Sequence, residues 1–142
     1  MPQENTLDRF VEAQASTYAT ALAEVRSGRK RSHWMWFIFP QIQGLGFSST
    51  SRYYALRDVQ EATAYLAHPV LGARLLAISE ELLALPGHDA SRIFGSPDDL
   101  KLRSCMTLFA AVPGAPAVFG EALTKFFQGA PDAQTLRQLA AG

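Results

Sequence analysis

Large apolar residues recur along this chain at spacings of three and four, the pattern of helices that bury one stripe. Leu7, Phe10, Val11, Tyr18, Leu22 and Val25 share such a stripe, which predicts a first helix over 7–26. Asn5 or Thr6 can cap its start, Asp8 suits its positive end, and Gly28 stops it. Gln14 falls on the same stripe. It reads first as a partly exposed amide at the stripe's edge. The second reading is a buried amide that must find partners, since leaving one unpaired costs roughly 1–3 kcal/mol.

The pattern changes at 29–41. Arg29-Lys30-Arg31-Ser32-His33 leads into Trp34-Met35-Trp36-Phe37-Ile38-Phe39 and then Pro40-Gln41, and this segment holds both tryptophans. Ser32 is the expected N-cap of a short helix over 33–39, which Pro40 ends by disfavouring helical geometry in the residue before it. A buried strand would also fit six bulky residues, but no neighbouring strand is there to pair with it. A helix apolar on every side must be enclosed, so the segment is expected at the middle of the core.

Further on, Gly44-Leu45-Gly46-Phe47 reads as a tight loop. It contains G-x-G but no third glycine and no preceding strand, so it falls short of a dinucleotide fingerprint. Ser48-Ser49-Thr50-Ser51 reads as capping and turn residues before a short helix with Tyr53, Tyr54 and Leu56. Its hydroxyls as phosphate donors are the alternative. Asp58 and Glu61 form a capping box for a helix through Ala62, Tyr65 and Leu66 that ends at His68-Pro69, with His68 capping carbonyls. A helix over 69–85 follows, with Val70, Leu71, Leu75, Ile78, Leu82 and Leu83 inward and Pro86-Gly87 as its stop. Ser96 caps the next, Pro97 opens it, and Asp98 and Asp99 occupy its positive first turn. Leu102, Cys105, Met106, Phe109 and Val112 are its stripe, and Asp99 can pair with Arg103.

The last two helices carry Val118, Phe119, Leu123, Phe126 and Phe127, stopped by Gly129, and then Leu136 and Leu139 after Pro131-Asp132. The sum is about seven mostly short helices and no convincing strand. The expectation is an all-α fold, a single compact domain over 1–142 built around the aromatic segment, with 1–5 as a disordered tail.

Composition narrows the function classes. Of 142 residues, 48% are hydrophobic and 18% charged, which is globular. Lys and Arg number 13, as do Asp and Glu, so no net field argues for nucleic acid or an anionic membrane. One cysteine excludes an internal disulfide and a cysteine zinc cage. The start has no cationic, apolar leader, and the run at 34–39 is far shorter than the roughly 20 residues that span a bilayer. A soluble, cytoplasmic protein is expected.

Candidate chemistry sits at the rim of the aromatic segment. A tryptophan there reads first as packing, with its indole N–H given one partner. The second reading is an aromatic platform for a flat ligand, with the neighbouring cations meeting an anion. That site would comprise Trp34 or Trp36 as wall, Lys30, His33 and Gln41 as polar contacts, and Lys101 facing it. His33, His68 and His88 lack the i,i+4 spacing of a helical metal pair, so no metal and no cofactor are expected. Asp98 and Asp99 read first as dipole partners, and second as an acid/base or Mg²⁺ pair. Cys105, on an apolar stripe, is expected to be an inert buried thiol.

Four segments together resemble the domain-of-unknown-function 1810 family: Arg9-Phe10-Val11-Glu12-Ala13-Gln14, the 29–41 run, Tyr65-Leu66-Ala67-His68-Pro69-Val70-Leu71-Gly72, and 93–104 from Ile93-Phe94-Gly95 to Ser104. The resemblance runs nearly the whole length in the same order. It implies a mainly helical single domain and brings no established activity, so no catalytic residue is carried over from it.

Two functions stay open. One is a pocket for a nucleotide-like or other anionic small ligand beside 33–41, within which hydrolysis of an ADP-ribose-like molecule would use Asp98 or Asp99. The other is a non-enzymatic interaction or self-association module, monomeric or homodimeric, recognised by a contiguous exposed apolar patch.

Overall fold

A computed structural model of the chain describes residues 7–141. They form ten helices: α1 Asp8–Ala15, α2 Tyr18–Arg26, α3 Met35–Ile38, α4 Ser49–Tyr53 and α5 Val59–Ala67, then α6 Leu71–Ala84, α7 Ala90–Phe94, α8 Asp98–Ala110, α9 Val118–Phe127 and α10 Ala133–Ala141. The all-α expectation holds. The helix count is higher than the stripes suggest for two reasons. The first stripe is broken at Ser16-Thr17, where Thr17 N–H turns back onto the Gln14 carbonyl. In addition, α7 is too short to show a period; Asp89 starts it by accepting from the N–H groups of Ser91 and Arg92.

Helix α9 packs against both α6 and α8, with α2 and α5 also against α6, α5, α7 and α10 against α8, and α1 against α3. The core is rich in aromatic rings. Phe10 meets Tyr65 edge-on at 5.2 Å, Tyr65 meets Phe109 at 5.4 Å, and Phe109 meets Phe119 at 5.6 Å. Trp34 and Phe39 each meet Phe94 edge-on, at 6.4 and 5.9 Å. Trp34, Met35, Ile38 and Phe39 are buried, as the all-apolar run requires, while Trp36 and Phe37 are only half-buried.

Several local expectations are corrected by distant partners. Gln14 is not at the stripe's edge but 1% exposed. Its Nε2 donates to the Phe37 carbonyl at 2.7 Å and to Tyr65 Oη at 3.0 Å, and its Oε1 accepts from Arg74. Ser32 caps nothing. Its hydroxyl donates to Glu24 Oε2 at 2.6 Å, which leaves α3 shorter than the expected 33–39. His68 caps amides, not carbonyls: Nδ1 accepts from Val70 and Leu71 N–H at the start of α6. Ser96 donates to Asp99 Oδ1 and does not accept from the helix, and Arg103 donates to the Ala130 carbonyl instead of pairing with Asp99. Val70, expected inward, is exposed. The capping roles of Asn5 and Thr6 and the tail at 1–5 lie outside the described residues.

Two predictions from local chemistry are met closely. Asp58 Oδ1 accepts from Glu61 N–H at 2.9 Å, while Glu61 reaches back to Arg57 N–H at 2.8 Å. Gly28, at φ +82°, ends α2.

Candidate functional site

The site is organised by a loop that leaves the aromatic segment and returns to it. An isolated parallel bridge pairs Ile42 with Leu56: Gln43 N–H donates to the Leu56 carbonyl, and Leu56 N–H donates to the Gln41 carbonyl. Between these ends lie the Gly44–Phe47 turn and α4, the latter capped by Ser48 accepting from Ser51 N–H. Arg9 holds the returning arm from below. It is 5% exposed and donates to the carbonyls of Tyr53 and Ala55 at 2.7 and 2.9 Å, and it pairs with Glu61. Gly46 has no space for a side chain, because a Cβ there would lie 2.7 Å from Ser51 Oγ. Gly44 likewise abuts Gln138 of α10.

This loop walls a hollow of about 400 Å³ with Trp36, Gln41, Gly46, Phe47, Tyr54 and Gln138 among its lining residues. A second hollow of about 270 Å³ shares Trp36, Gln41, Leu45 and Gly46 with it and adds Lys101, Ser104 and Asp132. A third, of about 320 Å³, is lined by Lys30, His33, Trp34, Trp36, Asp98 and Lys101, among others. Trp36 borders all three. Five of the six residues expected at the site therefore line one hollow, and the sixth, Gln41, lines its neighbours.

The charges are arranged around one carboxylate. Lys30 Nζ lies 2.9 Å from Asp98 Oδ2, and Lys101 Nζ lies 3.0 Å from Asp98 Oδ1. Lys30 is brought there by its backbone N–H, which donates to the Ile93 carbonyl just before the turn into α8. Burial pushes the Asp98 carboxyl up, but hydrogen bonds from Lys30 and Lys101 more than offset it and hold the pKa below the ordinary carboxylate value. Two ammonium groups share one anion, so the cluster keeps a local positive excess, with His33 exposed at the rim. Lys101 Nζ also sits 4.0 Å from the centroid of the Trp36 ring, a cation–π contact. Asp98 is thus a full partner of the two lysines and not only a dipole partner of α8.

The two tryptophans divide the roles left open between them. Trp34 is 1% exposed, and its indole N–H is spent on Glu24, so it borders the hollow as packed core. Trp36 is the half-buried ring with free space beside it. Gln41 is 9% exposed, and its Nε2 has no hydrogen-bond partner. A buried donor in that state costs roughly 1–3 kcal/mol. Cys105 is fully buried, and burial pushes its thiol pKa well up, as an inert core cysteine requires. Among the described residues no group of three His, Cys, Asp or Glu side chains could hold a metal ion. Nor, among them, is any helix long and apolar enough to cross a membrane.

Sequence reasoning missed Asp98 as partner of Lys30, and it missed Tyr54 and Gln138 as walls. Asp98 and Lys101 stand three apart on one helix, which was a usable signal; the other contacts join distant segments and left none.

A family model described as "Protein of unknown function (DUF1810)" matches residues 4–139. Among solved structures, the conserved hypothetical protein Rv1873 from Mycobacterium tuberculosis is 46% identical. The match covers 94% of this chain and 96% of that one, with a TM-score of 0.92. No curated protein matches.

Proposed function

The chain belongs to the DUF1810 family, whose description assigns no activity, and we propose that it is a binding domain for a flat, anionic small ligand of the nucleotide-like class, seated around Trp36. The observation that carries this reading is the position of Trp36 where three hollows meet, with the Lys101 ammonium on its ring. An aromatic face supports stacking of a flat group, worth roughly 1–3 kcal/mol per base. The excess positive charge of Lys30, Lys101 and Asp98 supports an anionic arm beside it. Binding, not acid catalysis, is the role favoured for this cluster. Asp98 stays ionised at neutral pH, so it has no proton to deliver, although its charge can orient the lysines.

A thermal-shift screen against nucleotides and phosphosugars tests the reading. A ligand at a hundred times its dissociation constant adds about 2.7 kcal/mol of stability. Stabilisation that disappears in Trp36→Ala and in Lys101→Met supports the site. No stabilisation by any compound, or stabilisation unchanged in both variants, removes it.

A second reading, a protein-interaction or self-association module, draws on one observation: Phe47 at the mouth of the loop hollow is 83% exposed. Light scattering separates the two. A dimer that Phe47→Ser converts to monomer favours the module; a monomer at all concentrations favours the pocket.

A further inference from the structure

The lysines account for an anion, but they leave Gln41 unexplained. Its backbone is locked, with Pro40 before it and its carbonyl accepting Leu56 N–H at 2.9 Å, so the side chain cannot leave with a moving loop end. The residue is more than nine-tenths buried, and Nε2 finds no partner. A second buried glutamine, Gln14, shows what this fold does with a structural amide: both of its ends are hydrogen-bonded. Gln41 differs in lining the two hollows that flank Trp36.

We infer that the Gln41 amide, whose Nε2 is sealed off in the free protein, turns about its side-chain torsions to donate to a hydrogen-bond acceptor on the ligand's ring, so that the occupant is an oxo- or aza-heterocycle carrying a phosphate-like group. Its ring lies along Trp36 on the loop side, where Lys101 is absent from the lining, and its anionic arm reaches Lys101 and Lys30. This rests on the pocket reading above and adds a chemical demand to it. A plain aromatic anion meets the charges and the indole but leaves the amide unpaired.

The test compares uridine monophosphate, guanosine monophosphate and phenyl phosphate by calorimetry on the wild type and on Gln41→Met. Phenyl phosphate is flat and anionic but has no ring acceptor. The wild type is expected to prefer at least one nucleotide over phenyl phosphate by about tenfold, the scale of one hydrogen bond to a buried donor. Gln41→Met should erase that preference, by weakening nucleotide binding more than phenyl phosphate binding, and raise the melting temperature of the free protein, because an unpaired donor has been removed. If the variant keeps the preference and melts lower, Gln41 serves the fold or an ordered water only, and the inference is overturned. Equal wild-type binding of all three compounds keeps the pocket and overturns the role of Gln41. Binding of none removes the pocket reading itself.

Discussion

The indole N–H of Trp34 donates to Oε1 of Glu24 at 2.9 Å, and that one contact joins the end of α2 to the aromatic segment. The same carboxylate collects the backbone N–H groups of Arg31 and Ser32 and the Ser32 hydroxyl. Glu24 therefore organises the turn that delivers Lys30 on one side and the Trp34–Phe39 run on the other. Burial alone would raise its pKa. Hydrogen bonds from the Ser32 hydroxyl, Arg31 N–H, the Trp34 indole and Ser32 N–H outweigh that and lower it from 4.5 to about 2.

Glu24→Gln keeps the volume and removes the charge. It should lower stability by roughly 1.5–3 kcal/mol, the range for hydrogen bonds to a charged group. The expected pH dependence follows from the sign of the shift. A carboxyl with a depressed folded pKa contributes stability that is complete above about 4.5 and is lost as pH falls toward about 2. Urea unfolding of both proteins at neutral pH and at pH near 3 measures this. Parallel curves with no narrowing of the gap at low pH would exclude Glu24 as the cause.

Gln14→Leu should cost about 1–3 kcal/mol, although it places an apolar side chain in an apolar core. It strips the Phe37 carbonyl and Tyr65 Oη of their partner. Tyr65→Phe in the Gln14→Leu background should recover part of the loss, because one orphaned group is removed with it. Additive losses in the double variant would contradict a shared bond.

Asp98→Asn should weaken the fold and strengthen anion binding together. The carboxylate now answers two ammonium groups; without it Lys30 and Lys101 face each other unscreened. A gain of about 1 kcal/mol, or fivefold, in affinity for a phosphate-bearing ligand is expected at low salt, shrinking as salt rises. Calorimetry at two ionic strengths decides it, and weaker binding at both would show that Asp98 contacts the ligand itself.

Gly72→Ala should destabilise even though alanine is the better helix former by about 1 kcal/mol. A Cβ there would lie 2.0 Å from the Leu66 carbonyl oxygen, where α6 crosses the end of α5. Overpacking of this kind costs about 1–3 kcal/mol. A higher melting temperature in the variant would show that the two helices can part without loss.

How much of this was legible beforehand follows from the range of each interaction. The stripe through Leu102, Cys105, Met106 and Phe109 and the stop at Gly28 are written within one or two turns of chain. So is the capping pair of Asp58 and Glu61, and all three were readable. The burial of Trp34, Met35, Ile38 and Phe39 was readable because a segment with no polar face must be largely enclosed; the partial exposure of Trp36 and Phe37 was not. Lys30, His33, Trp36, Gln41 and Lys101 could be named as candidates from their types and neighbours. Which tryptophan faces space, and which glutamine is left without a partner, could not.

By itself, then, the order of residues determined an all-helical chain, an aromatic centre, an inert cysteine and the family. Each of these depends on periodicity, local hydrogen bonding or residues in sequence. Tertiary structure decided the rest: Glu24 under Trp34, Gln14 between Phe37 and Tyr65, Asp98 between two lysines, and Gln41 at the hollows with no partner. Those relationships join segments far apart in the chain, and a side chain's partner across such a gap exists only once the helices have packed.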